Sequence, residues 1–172
     1  MAVTFTNLSG DRENLDKTIA TLLSDNWNSG NITGTITPIF SSDTDEPDQL
    51  ARTDGSYIDE IRVNYSSRIR FEQDDFDVNG DDKHAWVCTC FIEIQGESLQ
   101  VLLDMEDEVH RILWENRPNG STRLNKSDGS ASEVAWFEDA EPEFERLEPE
   151  EEVDQTPTSQ AELKMVYFKI KT

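Results

Sequence analysis

The chain has 172 residues, enough for one ordinary domain with a real core and short for two independent ones. Lys and Arg number 15 against 37 Asp and Glu, a formal net charge of −22 with a sequence pI near 4.2, and such a surface repels nucleic acid at low salt, which disfavours DNA binding by contact. Apolar segments with four Trp, eight Phe and three Tyr run between the acidic residues along the whole chain, which excludes a wholly disordered acidic tail.

Taken in chain order, Leu15, Ile19, Leu22 and Leu23 recur at helical spacing and predict an amphipathic helix over 10–27, with Ser9 or Asp11 as its cap. Alternation over 32–40 predicts a strand, and 41–56, interrupted by Pro47 among acidic residues, a loop. A long strand follows over 57–73, bulged at Ser66 and Ser67, with Ile61, Val63, Tyr65, Ile69 and Phe71 on one side and Arg62, Arg68 and Arg70 on the other. A carboxylate-rich turn at 74–82, with Asn79-Gly80 inside it, leads into a strand over 84–95, so the two strands make a long hairpin.

Gly96 breaks that strand. Leu99, Leu102, Leu103, Met105, Val109, Ile112 and Leu113 then form one stripe of a helix over 97–116, which Pro118-Asn119-Gly120 stops. Residues 121–130 read as a polar loop, 131–138 as a strand around Val134, Trp136 and Phe137, and 161–171 as a closing strand around Leu163, Met165, Tyr167 and Phe168. Between these last strands, residues 138–154 hold ten acidic residues and one basic one, and Pro142, Pro149 and Pro157 discourage regular structure. A mobile acidic insertion is expected there, reaching to about residue 160. The sum is a single α+β domain over 1–172, an antiparallel or mixed sheet with a long central hairpin packed against two amphipathic helices, in the order α-β-β-β-α-β-β.

The basic residues comprise nine Arg and only six Lys. Abundant carboxylates with few Lys suit a surface that stays hydrated while multimolar salt screens repulsion, which points to a halophilic host. No apolar run approaches the ~20 residues of a membrane span, and residues 1–10 lack the basic start and apolar centre of a signal peptide, so the expected place of synthesis is the cytoplasm. Cys88 and Cys90 are too few for a disulfide framework.

Three constellations invite a chemical reading. Asp75-x-Asp77-x-Asn79-Gly80-Asp81 copies the opening of a calcium loop, but Trp86 stands where the closing bidentate Glu belongs, so Asp75, Asp77, Asn79 and Asp81 are weak metal candidates beside the plainer reading of a solvated hairpin turn. His84, Trp86, Cys88 and Cys90 share strand parity, and with His110 could offer thiols and imidazoles to a metal; zinc sites normally draw ligands from knuckles, and core packing is the simpler reading. Neither His adjoins a Ser or Cys in a nucleophile motif, and phosphate-binding and dinucleotide signatures are missing, so neither an enzyme nor a cofactor is expected. Arg62, Arg68 and Arg70 gather a third of all Arg on one strand, a set suited to carboxylate partners within the subunit or, as a subunit interface, on an adjacent copy.

Two stretches carry a resemblance: Leu22-Leu23-Ser24-Asp25-Asn26-Trp27-Asn28 at the end of the first helix, and Asp107-Glu108-Val109-His110-Arg111-Ile112-Leu113 in the second, placed after the central hairpin. With the strand-loop-strand close over 131–172, the chain resembles the tail terminator, or tail-completion, proteins of tailed viruses, here one infecting a haloarchaeon. The resemblance implies a subunit of a homo-hexameric ring that caps the tail tube, ends its polymerisation and docks onto the head-tail connector, while DNA passes the channel without specific binding. It implies a place in the virion tail or neck, with host cytoplasm as the site of assembly. The long acidic insertion departs from a minimal terminator domain. A tail tube or other neck subunit is the near alternative; a halophile protein that mimics nucleic-acid charge and blocks a basic partner is the alternative of another class.

Overall fold

A computed structural model of the chain describes residues 8–42, 59–78, 81–119, 124, 125, 129, 132, 134–148 and 156–170, with side chains from Leu15 onward except over 65–86, at 135 and over 167–170. The elements are α1 (Leu8–Asn26), a 3-10 turn (Ser29–Asn31), β1 (Ile39–Ser42), β2 (Glu60–Val78), β3 (Asp81–Gln95), α2 (Leu99–Glu115), β4 (Val134–Phe137), β5 (Phe144–Leu147) and β6 (Thr158–Ile170). The fold is α+β, two helices on a six-stranded mixed sheet in the order β1-β2-β3-β6-β4, with β5 also paired to β6. β1 runs parallel to β2, and every other pairing is antiparallel.

Alternation decides which sheet face meets the helices. Cys88, Cys90, Ile92 and Ile94 of β3 are fully buried, as are Ile61 and Val63 of β2 and Leu163 and Met165 of β6. These rows form one core with Leu15, Ile19, Leu22 and Leu23 of α1 and with Leu102, Met105, Val109, Ile112 and Leu113 of α2. Both cysteines are thus small buried core residues, and neither is in a disulfide.

The apolar stripe of α1 is as its spacing predicts, but the helix starts at Leu8, so Ser9 and Asp11 lie inside it rather than capping it. For α2 the buried stripe is Val101, Leu102, Met105, Glu108, Val109, Ile112 and Leu113, whereas Leu99 and Leu103 are 55% and 41% exposed. The cause lies at the start of the helix. Ser98 caps it, its Oγ accepting from the Val101 N–H, and Gly96 brings β3 so close to Leu102 and Met105 that these, not Leu99 and Leu103, face inward.

Other expectations need correction. The strand over 32–40 shrinks to β1, because Gly34 and Thr35 hold positive φ values of 81° and 57° that no strand accommodates. The chain turns there, and the Trp27 indole, donating to the Ile36 carbonyl at 3.1 Å and meeting the Phe40 ring edge-on, fixes its return. The expected turn over 74–82 is largely ladder, since β2 runs to Val78 and pairs it with Asp81, leaving only Asn79 and Gly80, which lie outside the described residues. The acidic insertion contains β5, so its first half is docked structure; residues 149–155 lie outside the described set.

β4 pairs with the Met165 end of β6 and β5 with its Thr158 end. The two are halves of one interrupted edge strand, with 138–143 looping out between them.

Candidate functional site

Two structural features and one surface stand out. The first feature is a polar clamp between the helices. Glu108 sits in the buried stripe of α2 at 2% exposure, and both its carboxylate oxygens are fully used. Oε1 accepts from the Asn28 backbone N–H at 2.9 Å and from Arg111 Nη2 at 2.6 Å, and Oε2 accepts from Asn31 Nδ2 at 2.6 Å and Arg111 Nε at 2.9 Å. Arg111 also donates to the Asn26 carbonyl at the end of α1, at 2.9 Å, and to Glu115. Burial pushes the Glu108 carboxyl up, but the hydrogen bonds from Arg111, Asn31 and Asn28 and the adjacent positive charge outweigh it and hold the group below the ordinary range. Bonding to Glu108 in turn raises the Arg111 guanidinium, which stays charged. The end of α1 and the middle of α2, the two stretches on which the family resemblance rests, are therefore bonded to each other. Thr33 adds a second tie: its N–H donates to Asp104 at 2.8 Å, and hydrogen bonds from its side chain and backbone, with one from Gln100, hold that carboxyl low.

The second feature is a three-stranded β arm. At about 3.3 Å per residue, the 19 residues of β2 and 15 of β3 extend about 60 and 50 Å. At about 1.5 Å per residue, the 19 residues of α1 and 17 of α2 reach only about 28 and 26 Å. The helices cannot cover the hairpin along its length. β6 accompanies it as far as the Lys83 to Ile170 pair, so what extends past the helices is three strands wide.

The surface is a concavity of about 490 Å³ on the sheet face away from the helices, between 138–145 and the β3–β6 pair. Glu138, Asp139, Glu143, Glu145 and Glu162 line it around Phe91, with Lys164 as its one basic residue. On the same sheet face Glu93, partly buried, has its carboxyl raised by that burial, against the lowering effect of Arg62.

The residues singled out from sequence are dispersed. Arg62 of β2 lies opposite Glu93 and 3.5 Å from Glu60. Tyr65 pairs with Cys90 and Ser67 with Thr89, so Ser66 is the extra residue of a bulge, at the position where the sequence predicts one. That bulge has a consequence missed in the sequence reading: it reverses the alternation. Arg68 and Arg70 pair with Cys88 and Trp86, on the register row of Ile61 and Val63, and Arg62 occupies the opposite row. The three arginines do not share one face.

Asp75 and Asp77 stand on strand β2 opposite His84 and Asp82, and Asp81 on β3 falls on the alternate row. Asp75, Asp77 and Asp81 thus stand on ladder positions rather than in a loop; Asn79 and Gly80, the turn between them, lie outside the described residues. Cys88 and Cys90 are buried, and His110 Nε2 lies 2.7 Å from the Pro142 carbonyl, to which it donates. Among the described residues no group of three or more His, Cys, Asp or Glu could hold a metal, and no helix is long and apolar enough to cross a membrane.

Sequence reasoning missed Glu108. The signal was present: a carboxylate within an apolar stripe, with Arg three residues on, is the pattern of a buried i,i+3 pair. No protein-family model matches the chain, and no curated protein is similar to it in sequence.

Proposed function

We propose that this chain is a structural subunit of a tailed virus of a halophilic archaeon, a tail terminator that closes into a six-membered ring on the tail tube, ends tube growth and offers the docking surface for the head-tail connector. The observation that carries this reading is the β arm. A subunit that only needed to fold would have little use for strands twice the length of its helices, whereas a ring subunit needs an element that reaches its neighbour. The clamp through Glu108 and Arg111 holds the two helices as a rigid base for that arm. The acidic surface suits a channel through which DNA passes without sticking. In this reading the protein acts by geometry, without catalysis or cofactor, first in the host cytoplasm and then in the virion neck.

In this reading Arg68 and Arg70, both beyond the bulge and on one register row, bond an adjacent copy, and Arg62, on the alternate row beside Glu60, stays within the subunit. The test is native mass by light scattering after size exclusion in ~3 M KCl, where charge repulsion is screened. A hexamer is expected, and the double variant Arg68→Glu, Arg70→Glu should run as a folded monomer. A wild-type monomer at every salt concentration, alone and with tube protein, would overturn the reading; a monomer that captures a basic protein at low salt would replace it with the charge mimic.

A further inference from the structure

Residues 138–148 lie along the sheet edge as a strap with two unlike sides. On the inner side Ala140 and Pro142 are buried and Phe144 packs half-buried against the core. The Pro142 carbonyl accepts from His110, whose ring also meets that of Phe144 with centroids 5.2 Å apart. Four ladder pairs join Phe144–Leu147 to β6, and Arg146 lies 3.9 Å from Glu106 of α2. On the outer side the strap brings Glu138, Asp139, Glu143 and Glu145 to one wall of the acidic concavity, whose other wall carries Glu162.

The register sets these charges close together. Glu145 pairs with Gln160, so Glu162, two residues further along β6, is its diagonal neighbour on the same face, at a typical spacing of about 7–8 Å. Glu143, one residue before the Phe144 to Ala161 pair, comes level with Glu162. Lys164 offsets this only in part, at 4.0 Å from Glu162 with both side chains nearly half exposed. Carboxylates at such spacing repel when the Debye length is about 10 Å, in ~0.1 M salt, and hardly do so when it is about 3 Å, in ~1 M salt. The strap is thus held by a few apolar and hydrogen-bonded anchors and opposed by a repulsion that salt removes.

We propose that ionic strength governs the docking of this strap. In dilute salt 138–148 lifts from β6 and α2 while the rest of the sheet stays folded; in concentrated salt it seats. Lifting uncovers the edge of β6 from Thr158 to Ala161, a row of backbone donors and acceptors to which another strand could add. The device is independent of the tail-ring reading.

Hydrogen exchange of the full chain, read by mass spectrometry between ~0.1 and ~3 M KCl, tests it. Peptides covering 138–148 should gain about fourfold in protection over this range beyond any change shared with α2 and β3, taking the two facing carboxylate pairs, Glu143 with Glu162 and Glu145 with Glu162, at roughly twofold each. Relative to α2, the strap of the triple variant Glu143→Gln, Glu145→Gln, Glu162→Gln should be as protected at ~0.1 M as that of the natural chain is at ~3 M. Exchange of 138–148 in step with α2 at every salt concentration would show that the strap is no separate unit, and a triple variant that kept the natural salt dependence would show that these carboxylates do not drive it; either result overturns the proposal.

Discussion

Glu108 stands where an apolar side chain would complete the stripe of α2, and its four hydrogen bonds explain why it is tolerated there. Replacing it with Ala strands the Arg111 guanidinium, the Asn28 N–H and the Asn31 amide, and is expected to cost about 2–4 kcal/mol, measured by urea denaturation in concentrated KCl. Its depressed folded pKa means that its contribution is present above the unfolded Glu value of about 4.3 and is lost as pH falls through the lower folded value. Glu93 acts in the opposite sense. Its raised carboxyl is a cost at neutral pH that is relieved as pH falls through the raised value. Stability should therefore rise slightly on mild acidification and fall steeply below the ordinary carboxylate range, and Glu108→Gln should make the steep part shallower, with Asp104, also held low, keeping some of it; an unchanged acid limb would exclude Glu108 as one of its sources. At this scale the buried apolar positions of α1 were legible from spacing, because burial and periodicity report the same thing. The arginine set was not, because one extra backbone residue at Ser66 moves Ser67 to Arg70 onto the alternate register row until a second irregularity before Asp75 restores it.

Among the elements, α2 shows most directly how local and tertiary constraints combine. A Cβ on Gly96 would lie 2.9 Å from the Leu102 backbone nitrogen and 3.1 Å from its Cα, and backbone cannot yield as a flexible side chain can. Gly96→Ala is expected to cost about 1–3 kcal/mol through displacement of the first turn of α2, seen as a lower urea midpoint. A midpoint within error of the natural chain would mean that the β3–α2 approach is looser than its geometry indicates. From sequence, Gly96 reads as a strand breaker, which it is; its role as a packing surface depends on what lies opposite and has no local sign. β5 was hidden for a related reason. Phe144 and Arg146 alternate among carboxylates between two prolines, and their strand form comes from the β6 ladder rather than from intrinsic propensity.

For the whole molecule, a charge of −22 opposes compaction at low salt, and the described ion pairs are few against it. The urea midpoint should rise with KCl, with a gain of a few kcal/mol in stability by ~1 M as the Debye length shrinks to about 3 Å. A midpoint independent of KCl would contradict a surface adapted to salt. The α+β class was legible because helical and strand periodicities differ over long segments. The placement of β6 between β3 and the β4–β5 edge was not, since nothing near 158–170 names its neighbours.

That placement bears on how the chain is made. β4 and β5 precede β6 in sequence, and among the described strands they pair only with it, so during synthesis they emerge before that template. Between the end of β5 and the end of β6 the ribosome adds 147 to 170, a wait of a few seconds at about 5–20 residues per second. Through that interval Val134 and Phe137, buried in the finished fold, are exposed on the nascent chain. The run of carboxylates immediately after them is what a gatekeeper requires: charge flanking an apolar strand that has no partner yet. The acidity of 138–148 thereby has a part in the birth of the molecule as well as in its mature surface.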